Sequence, residues 1–243
     1  MANSNAPIPH LPRYFGDEQQ RRRYLDGLFD AGARDYDFTE RLLGLGSGPW
    51  YRRGALRRAG LASGMGVLDV ATGTGLVARE ALTLAGAGNV IGLDPSAGML
   101  DEARSLGIPL VRSLGERLPC REASFDFVSM GFALRHVANL QDLFREMLRV
   151  LRPGGTACIL EITRPPRQWM EAPLRAFMTR VVPTIAQASG RRLGPEMMRF
   201  YWDTIEACVP PETVLAALRT AGFADARRVV SLGIFSEYVA TKP

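Results

Sequence analysis

The chain is predicted to adopt an α/β fold: a doubly wound, mostly parallel, seven-stranded sheet, with a helical cap before it and a helical lid after the fifth strand. Three observations carry this. Short apolar runs alternate with segments whose apolar residues recur at helical spacing, the rhythm of parallel strands joined by crossover helices. One run, Val67-Leu68-Asp69-Val70, leads into the turn Ala71-Thr72-Gly73-Thr74-Gly75, as a strand does where such a sheet holds a ligand at its carboxyl edge. After Arg164 the rhythm breaks, and two helical segments stand where a further repeat would be short.

Residues 1–15 are polar and punctuated by proline, which predicts a loose arm. The rest, 16–243, reads as one domain. In the cap, 16–60, Tyr24, Leu25, Leu28 and Phe29 make one stripe and Leu42, Leu43 and Leu45 another, while Pro49 suits the first turn of a helix carrying Trp50 and Leu56. Tyr36 and Trp50 are expected both to pack on the core and to wall a substrate pocket. The core, 61–163, holds strands at 66–70, 89–94, 108–111, 125–130 and 156–162. Between them lie a helix from about Thr74 to Leu84, a second with Met99, Leu100 and Ala103 on one face, and a third. That third helix carries Leu140, Leu143, Phe144, Met147, Leu148 and Leu151, and Pro153-Gly154-Gly155 ends it. In the lid, 164–208, Leu174, Phe177, Met178, Val181, Val182 and Ile185 form an apolar face over a hydrophobic substrate or over the core, and Pro183 must kink or end the helix. The last part, 209–243, runs from Pro211 to Ala221 as a helix capped by Gly222 and closes with strands at 227–230 and 234–240.

Composition narrows the function. A 243-residue chain with 47% hydrophobic residues has ample material for one core. Its net charge of +5 and pI near 9.5 raise nucleic acid or an anionic membrane surface as partners. The cations are scattered arginines, however, with Lys242 the only lysine, and pairs such as Arg52-Arg53 and Arg191-Arg192 read as solvated helix faces, so nucleic acid is disfavoured. Cys120, Cys158 and Cys208 follow neither a metal nor a disulfide spacing and fit a reducing cytoplasm. With two histidines in all, one of them His10, no histidine-rich metal site is expected.

The glycine turn admits two readings. Gly73, Gly75 and Ala78 satisfy the dinucleotide spacing, with Asp94 placed to hold a ribose. Asp69 decides between them: a carboxylate just ahead of the glycines would repel a pyrophosphate but suits the cationic methionyl ammonium of S-adenosylmethionine.

Further motifs carry a family resemblance. Phe29-Asp30 and Tyr36-Asp37 stand in the cap, and Glu116-x-Leu118-Pro119 precedes Ser124-Phe125-Asp126. Downstream come Phe132-Ala133-Leu134-Arg135-His136-Val137, then Arg152-Pro153-Gly154-Gly155 and Glu161-Ile162-Thr163-Arg164-Pro165. From about Leu28 to Phe223 the chain resembles the ubiquinone/menaquinone biosynthesis C-methyltransferases, a branch of the class I S-adenosylmethionine-dependent methyltransferases. It departs from them at Phe38-Thr39-Glu40, Ser47, Leu114 and His136.

The resemblance implies roles. Asp69, Ala71, Gly73, Thr74 and Gly75 would hold the methionyl part of the cofactor, and Asp94 the ribose, beside Pro95. Met99 would pack on the adenine or simply on the core. Gly115 would close the far side, with Glu116 a partner for the adenine amino group, and Gly131 and Phe132 would border the sulfonium. Arg135 would stabilise a phenolate and His136 would take a proton, while Tyr36, Trp50 and Tyr201 would shape the substrate pocket, with Glu161 a weaker candidate; no metal is needed. The leading expectation is carbon methylation of a hydrophobic phenol or quinone precursor, prenylated in its fuller form, by a cytoplasmic enzyme that contacts the membrane periphery and pairs as a homodimer. The alternatives are a secondary-metabolite O-, N- or C-methyltransferase, an RNA methyltransferase, and a non-catalytic cofactor-binding protein.

Overall fold

The computed structural model describes residues 5–8, 11–190 and 195–243. Residues 1–4, 9 and 10 of the expected arm and the Arg191-Arg192 pair lie outside them. Seven strands form one sheet in the order β3-β2-β1-β4-β5-β7-β6: β1 Val67–Val70, β2 Val90–Asp94, β3 Leu110–Arg112, β4 Phe125–Gly131, β5 Leu151–Ile162, β6 Ala224–Ser231 and β7 Phe235–Thr241. All neighbouring pairs from β3 to β5 are parallel, and β7 runs antiparallel to both β5 and β6. β5 starts earlier than expected. Leu151 pairs with Phe125 ahead of a register shift, so Pro153-Gly154-Gly155 forms a bulge inside the strand and does not precede it.

Both faces of the sheet are covered, which is why all four residues of β1 are buried. On one face Leu68 and Val70 meet α5, Leu140–Val150, where Leu143, Phe144, Met147 and Val150 are each 0% exposed. Burying such side chains contributes about 1.5–3 kcal/mol apiece. α9, Pro211–Ala221, packs beside it and ends on left-handed Gly222, as expected. On the other face Val67 meets α2, Gly48–Arg58, and α3, Leu76–Ala85.

A third apolar cluster lies outside the sheet. Apart from Leu45, which lies exposed in the turn past it, the cap stripes belong to a single 26-residue helix, α1, Glu18–Leu43, started by the Asp17 side chain accepting from the Gln20 N–H. It packs against α7, Val182–Ala188, and α8, Pro195–Ala207. Ahead of α7, α6 spans Gln168–Ala176 and passes through a π-helical turn, Phe177–Val181, into α7. Pro183 sits just past that turn, and the widened helix accommodates the ring, so the expected kink or end takes the form of a local distortion and the chain stays helical. The arm is also held more firmly than its composition implies. The Asn5 and Pro7 carbonyls accept from the Leu140 and Val209 N–H groups at 2.9 and 2.8 Å, and the Tyr14 hydroxyl donates to Asp203 at 2.6 Å.

Candidate active site

The carboxyl ends of β1, β2 and β4 open into a cavity of about 260 Å³, roofed by α1. Its floor includes Ala71, Gly73, Asp94, Pro95, Gly115, Gly131 and Phe132; Met99, Leu114 and Glu116 form one wall and His136 another. Ala71 and Phe132 hold positive φ, 52° and 58°. Such non-glycine conformations cost on the order of 1 kcal/mol or more and persist where surrounding contacts impose them, characteristically at functional turns. Gly73, at φ 58°, has nothing within 4 Å of where a Cβ would stand, so the turn presents bare backbone to the cavity. Asp94 accepts from the Gly73 and Ser96 N–H groups, each at 2.8 Å, yet burial raises its pKa to about 6.

Asp69 does not reach this cavity. It is 0% exposed, on the α3 side of β1, and its two oxygens accept from the Thr72 hydroxyl at 2.7 Å and the Ser129 hydroxyl at 2.6 Å. Its charge therefore braces the turn from below. Thr74 gives its hydroxyl to Asp37 at 2.5 Å, and Gly75 turns toward Leu106 as the left-handed start of α3. Glu116 lines the cavity, but its carboxylate accepts from the Ala138 N–H at 2.6 Å.

The Phe-Asp and Tyr-Asp pairs of the cap have a mechanical reason. Asp30 accepts from the Ser96 hydroxyl at 2.5 Å and the Gly98 N–H at 3.0 Å, at the start of α4, Ala97–Ala103. Asp37, two turns further along the same face of α1, takes Thr74. The cap is thus latched to both turns that border the cavity, and the Ser96 hydroxyl holds the Asp30 carboxyl below its ordinary range.

Beneath α1 lies Arg52, 1% exposed, ion-paired with Glu40, its guanidinium 5.7 Å over the Phe132 ring and its Nε without a partner. With Tyr36, Gly73 and Thr74 it lines a niche of about 30 Å³ behind the glycine turn. Within an Arg52-Arg53 doublet it has the look of solvated surface, which its burial contradicts. Its position with Ala55, Leu56 and Ala59 on one apolar stripe was the available signal.

A second cavity, about 80 Å³, lies on the far side of Tyr36 and Phe132, which line both. Its walls are largely apolar: Leu43, Tyr51, Ile162, Leu174, Phe177, Met178, Ile205 and Phe235. Arg135 and Tyr201 supply polarity. Arg135 is buried, ion-paired with Glu161, and donates from Nε to Thr204 Oγ1 at 3.1 Å; its guanidinium stands 5.7 Å over the Tyr201 ring. The Tyr201 hydroxyl is buried without a partner, and burial lifts its pKa well above the ordinary value. Thr39, Glu40 and Ser47, the departures noted above, also line this cavity.

Two expectations change here. Trp50 is 78% exposed and lines neither cavity, because the inward face of α2 carries Tyr51, Arg52, Ala55 and Leu56; Tyr51 takes the aromatic place, 4.8 Å from Phe235. Arg135 and His136 face different cavities. His136 is stacked on Phe200 at 5.7 Å and meets the edge of Phe29 at 5.2 Å. Burial, then the Arg135 and Arg21 charges, hold its pKa well below the ordinary value, so it is neutral at physiological pH and a weak base.

Residues 17–242 match the ubiE/COQ5 methyltransferase family. The chain is 34% identical over 223 residues to a demethylmenaquinone methyltransferase of Mycobacterium bovis, spanning 91% of this chain and 93% of that one. It is 32% identical over 217 residues to the demethylmenaquinone methyltransferase of Mycolicibacterium vanbaalenii, with 88% and 93% covered. A solved S-adenosylmethionine-dependent methyltransferase of Aquifex aeolicus shares the fold, with a TM-score of 0.58 at 20% identity over 79% of this chain and 89% of that one. With the family matched over nearly its whole length and relatives above 30% identity, the chain belongs to the ubiE/COQ5 methyltransferase family.

Proposed function

We propose that this methyltransferase moves a methyl group from S-adenosylmethionine to a ring carbon of a hydrophobic phenol or quinol in quinone biosynthesis, a demethylmenaquinone being the acceptor that its relatives' names point to. S-adenosylhomocysteine and the displaced ring proton, released to solvent, are the other products. The observation that carries the proposal is the pair of cavities meeting at Tyr36 and Phe132, one bordered by a glycine turn and a carboxylate, the other apolar with a polar end.

The residues present fit the donor. Bare backbone at Gly73 admits close approach, Asp94 offers acceptors for ribose hydroxyls, and the orphaned Nε of Arg52 suits the methionyl carboxylate. Pro95, Met99, Gly115 and Glu116 would border the nucleoside, and Ala71, Gly131 and Phe132 the sulfonium end. When bound, S-adenosylmethionine supplies an electrophilic methyl group.

The chain's own residues then align and shield. Tyr36 and Phe132 mark where the reacting groups meet, and the apolar walls keep water out. The Tyr201 hydroxyl, kept protonated by burial, donates a hydrogen bond to the acceptor oxygen. Arg135, oriented by Glu161 and Thr204, adds positive charge near the same oxygen and so favours the electron-rich phenolate. His136 contributes a neutral ring face on the donor side.

Incubation with labelled S-adenosylmethionine and a demethylmenaquinol analogue is expected to give a carbon-methylated product. Methylation at oxygen, or none of any quinol, would sink the quinone reading. Because the departing residues Thr39, Glu40 and Ser47 all line the acceptor cavity, a non-quinone phenol is the second reading; stabilisation of the donor-bound protein by such phenols, and not by quinols, would favour it.

A further inference from the structure

Four large apolar residues stand out on the surface: Leu45 at 82% exposure, Trp50 at 78%, Leu232 at 75% and Trp169 at 68%. They come from three stretches of the chain, each of which also lines the acceptor cavity. Leu45 and Trp50 flank Ser47, an exposed residue that lines the cavity and so marks its mouth. Leu232 precedes Ile234 and Phe235, which line the same cavity, and a Cβ on Gly233 would stand 3.7 Å from Cε of Met170, the neighbour of Trp169. Isolated exposed apolar side chains are ordinary; large ones gathered around the mouth of an apolar cavity mark an interaction site.

The exposed charge around this rim is mostly positive, with Glu206 near Arg164 the exception. Arg41, Arg167 and Arg175 are exposed on the same segments, whereas Glu40 and Glu171 are engaged by Arg52 and Arg164. Tryptophans beside arginines at the edge of an apolar surface match the headgroup layer of a bilayer, where the rings sit at the interface and cations meet anionic lipid. No helix among the described residues is long and apolar enough to cross a membrane.

We infer that the mouth of the acceptor cavity docks on the surface of an anionic lipid bilayer, with Leu45, Trp50, Trp169 and Leu232 entering the headgroup layer, so that a lipid-soluble acceptor passes from the bilayer into the cavity without crossing water. The lipid-soluble acceptor rests on the proposal above; the docking can be measured without any acceptor.

The test uses the full chain with vesicles of phosphatidylcholine, alone or mixed with phosphatidylglycerol. Co-sedimentation with the anionic vesicles is expected, falling at high salt, and brominated lipid should quench tryptophan emission. Trp50 and Trp169 would report, since the third tryptophan, Trp202, is only 2% exposed. The triple variant Leu45→Ser, Trp169→Ser, Leu232→Ser should bind anionic vesicles at least tenfold more weakly while retaining wild-type affinity for S-adenosylhomocysteine. It should also lose methylation of a vesicle-embedded acceptor and keep that of a short-chain soluble one. Wild-type protein that ignores anionic vesicles, unchanged vesicle binding by the triple variant, or a dimer in sedimentation equilibrium that this variant dissociates would overturn the inference. Loss of methylation of every quinol with vesicle binding intact would instead count against the acceptor alone.

Discussion

Arg52 offers the sharpest test of the donor site. Arg52→Met removes the guanidinium while keeping much of the apolar stem. An ionic hydrogen bond from a buried guanidinium contributes about 1.5–3 kcal/mol, or roughly 10- to 150-fold in Kd at 25 °C. The variant also strips Glu40 of its partner, but the Glu40 side chain is 21% exposed and can reach water, so the loss of stability should stay below the ~3–5 kcal/mol of a fully buried broken pair. The assay is calorimetric titration with S-adenosylhomocysteine and with an analogue lacking the carboxylate. The first should weaken by the stated factor; the second should bind wild type and variant equally. If both ligands lose affinity to the same degree, Arg52 merely supports the niche and the assignment is refuted.

Asp94, as the proposed acceptor for the ribose hydroxyls, should make donor binding pH-dependent. Its folded pKa is raised to about 6, and only the ionised form can accept from both ribose hydroxyls, so affinity should be flat above about pH 7 and weaken as pH falls through 6, approaching tenfold per unit below it. Calorimetry in buffers of different ionisation enthalpy should register proton release on binding at pH 5.5, and a pH-independent Kd would contradict the role. Tyr201→Phe removes only the unpartnered hydroxyl, and kcat should fall roughly 10- to 150-fold with donor affinity unchanged; an unaltered kcat would exclude Tyr201 from contact with the acceptor oxygen. A methyl group at Gly131 would run into Val77 Cγ2, so Gly131→Ala should destabilise by about 1–3 kcal/mol in thermal melts, with Val77→Ala restoring the loss.

What could be read in the chain depended on how local the cause was. The helix from Pro211 to Ala221 with its Gly222 cap and the apolar stripe of α5 are written in neighbouring residues, and both stand as expected except that Leu151 opens β5. Strand order after β5 is not local, since β7 inserts between β5 and β6 through pairings that cross some eighty positions, as Cys158 with Val239 does. The site divides similarly. Asp94 and Gly73 could be named from spacing alone. The burial of Asp69 depends on Ser129, on another strand, and the choice of Tyr51 over Trp50 depends on a helical phase that one proline could not set. Arg135 was found by motif, but the partner that orients it, Glu161, stands on β5, 26 residues away. The Glu40 that buries Arg52 comes from a different helix, which is why a doublet of arginines looked like solvated surface.

The length of α1 has a kinetic consequence. Its 26 residues extend about 39 Å at 1.5 Å per residue. The exposed lining of the larger cavity, Glu18 and Arg22, lies at its amino end, and Ser47 lies just past its carboxyl end. The two cavities therefore open toward opposite ends of one helix. With donor and acceptor assigned to these cavities as proposed, neither should block the other's route, and binding is expected to follow no compulsory order. A random-order pattern of product inhibition is the signature of that arrangement, and the stiffness of one helix is what imposes it.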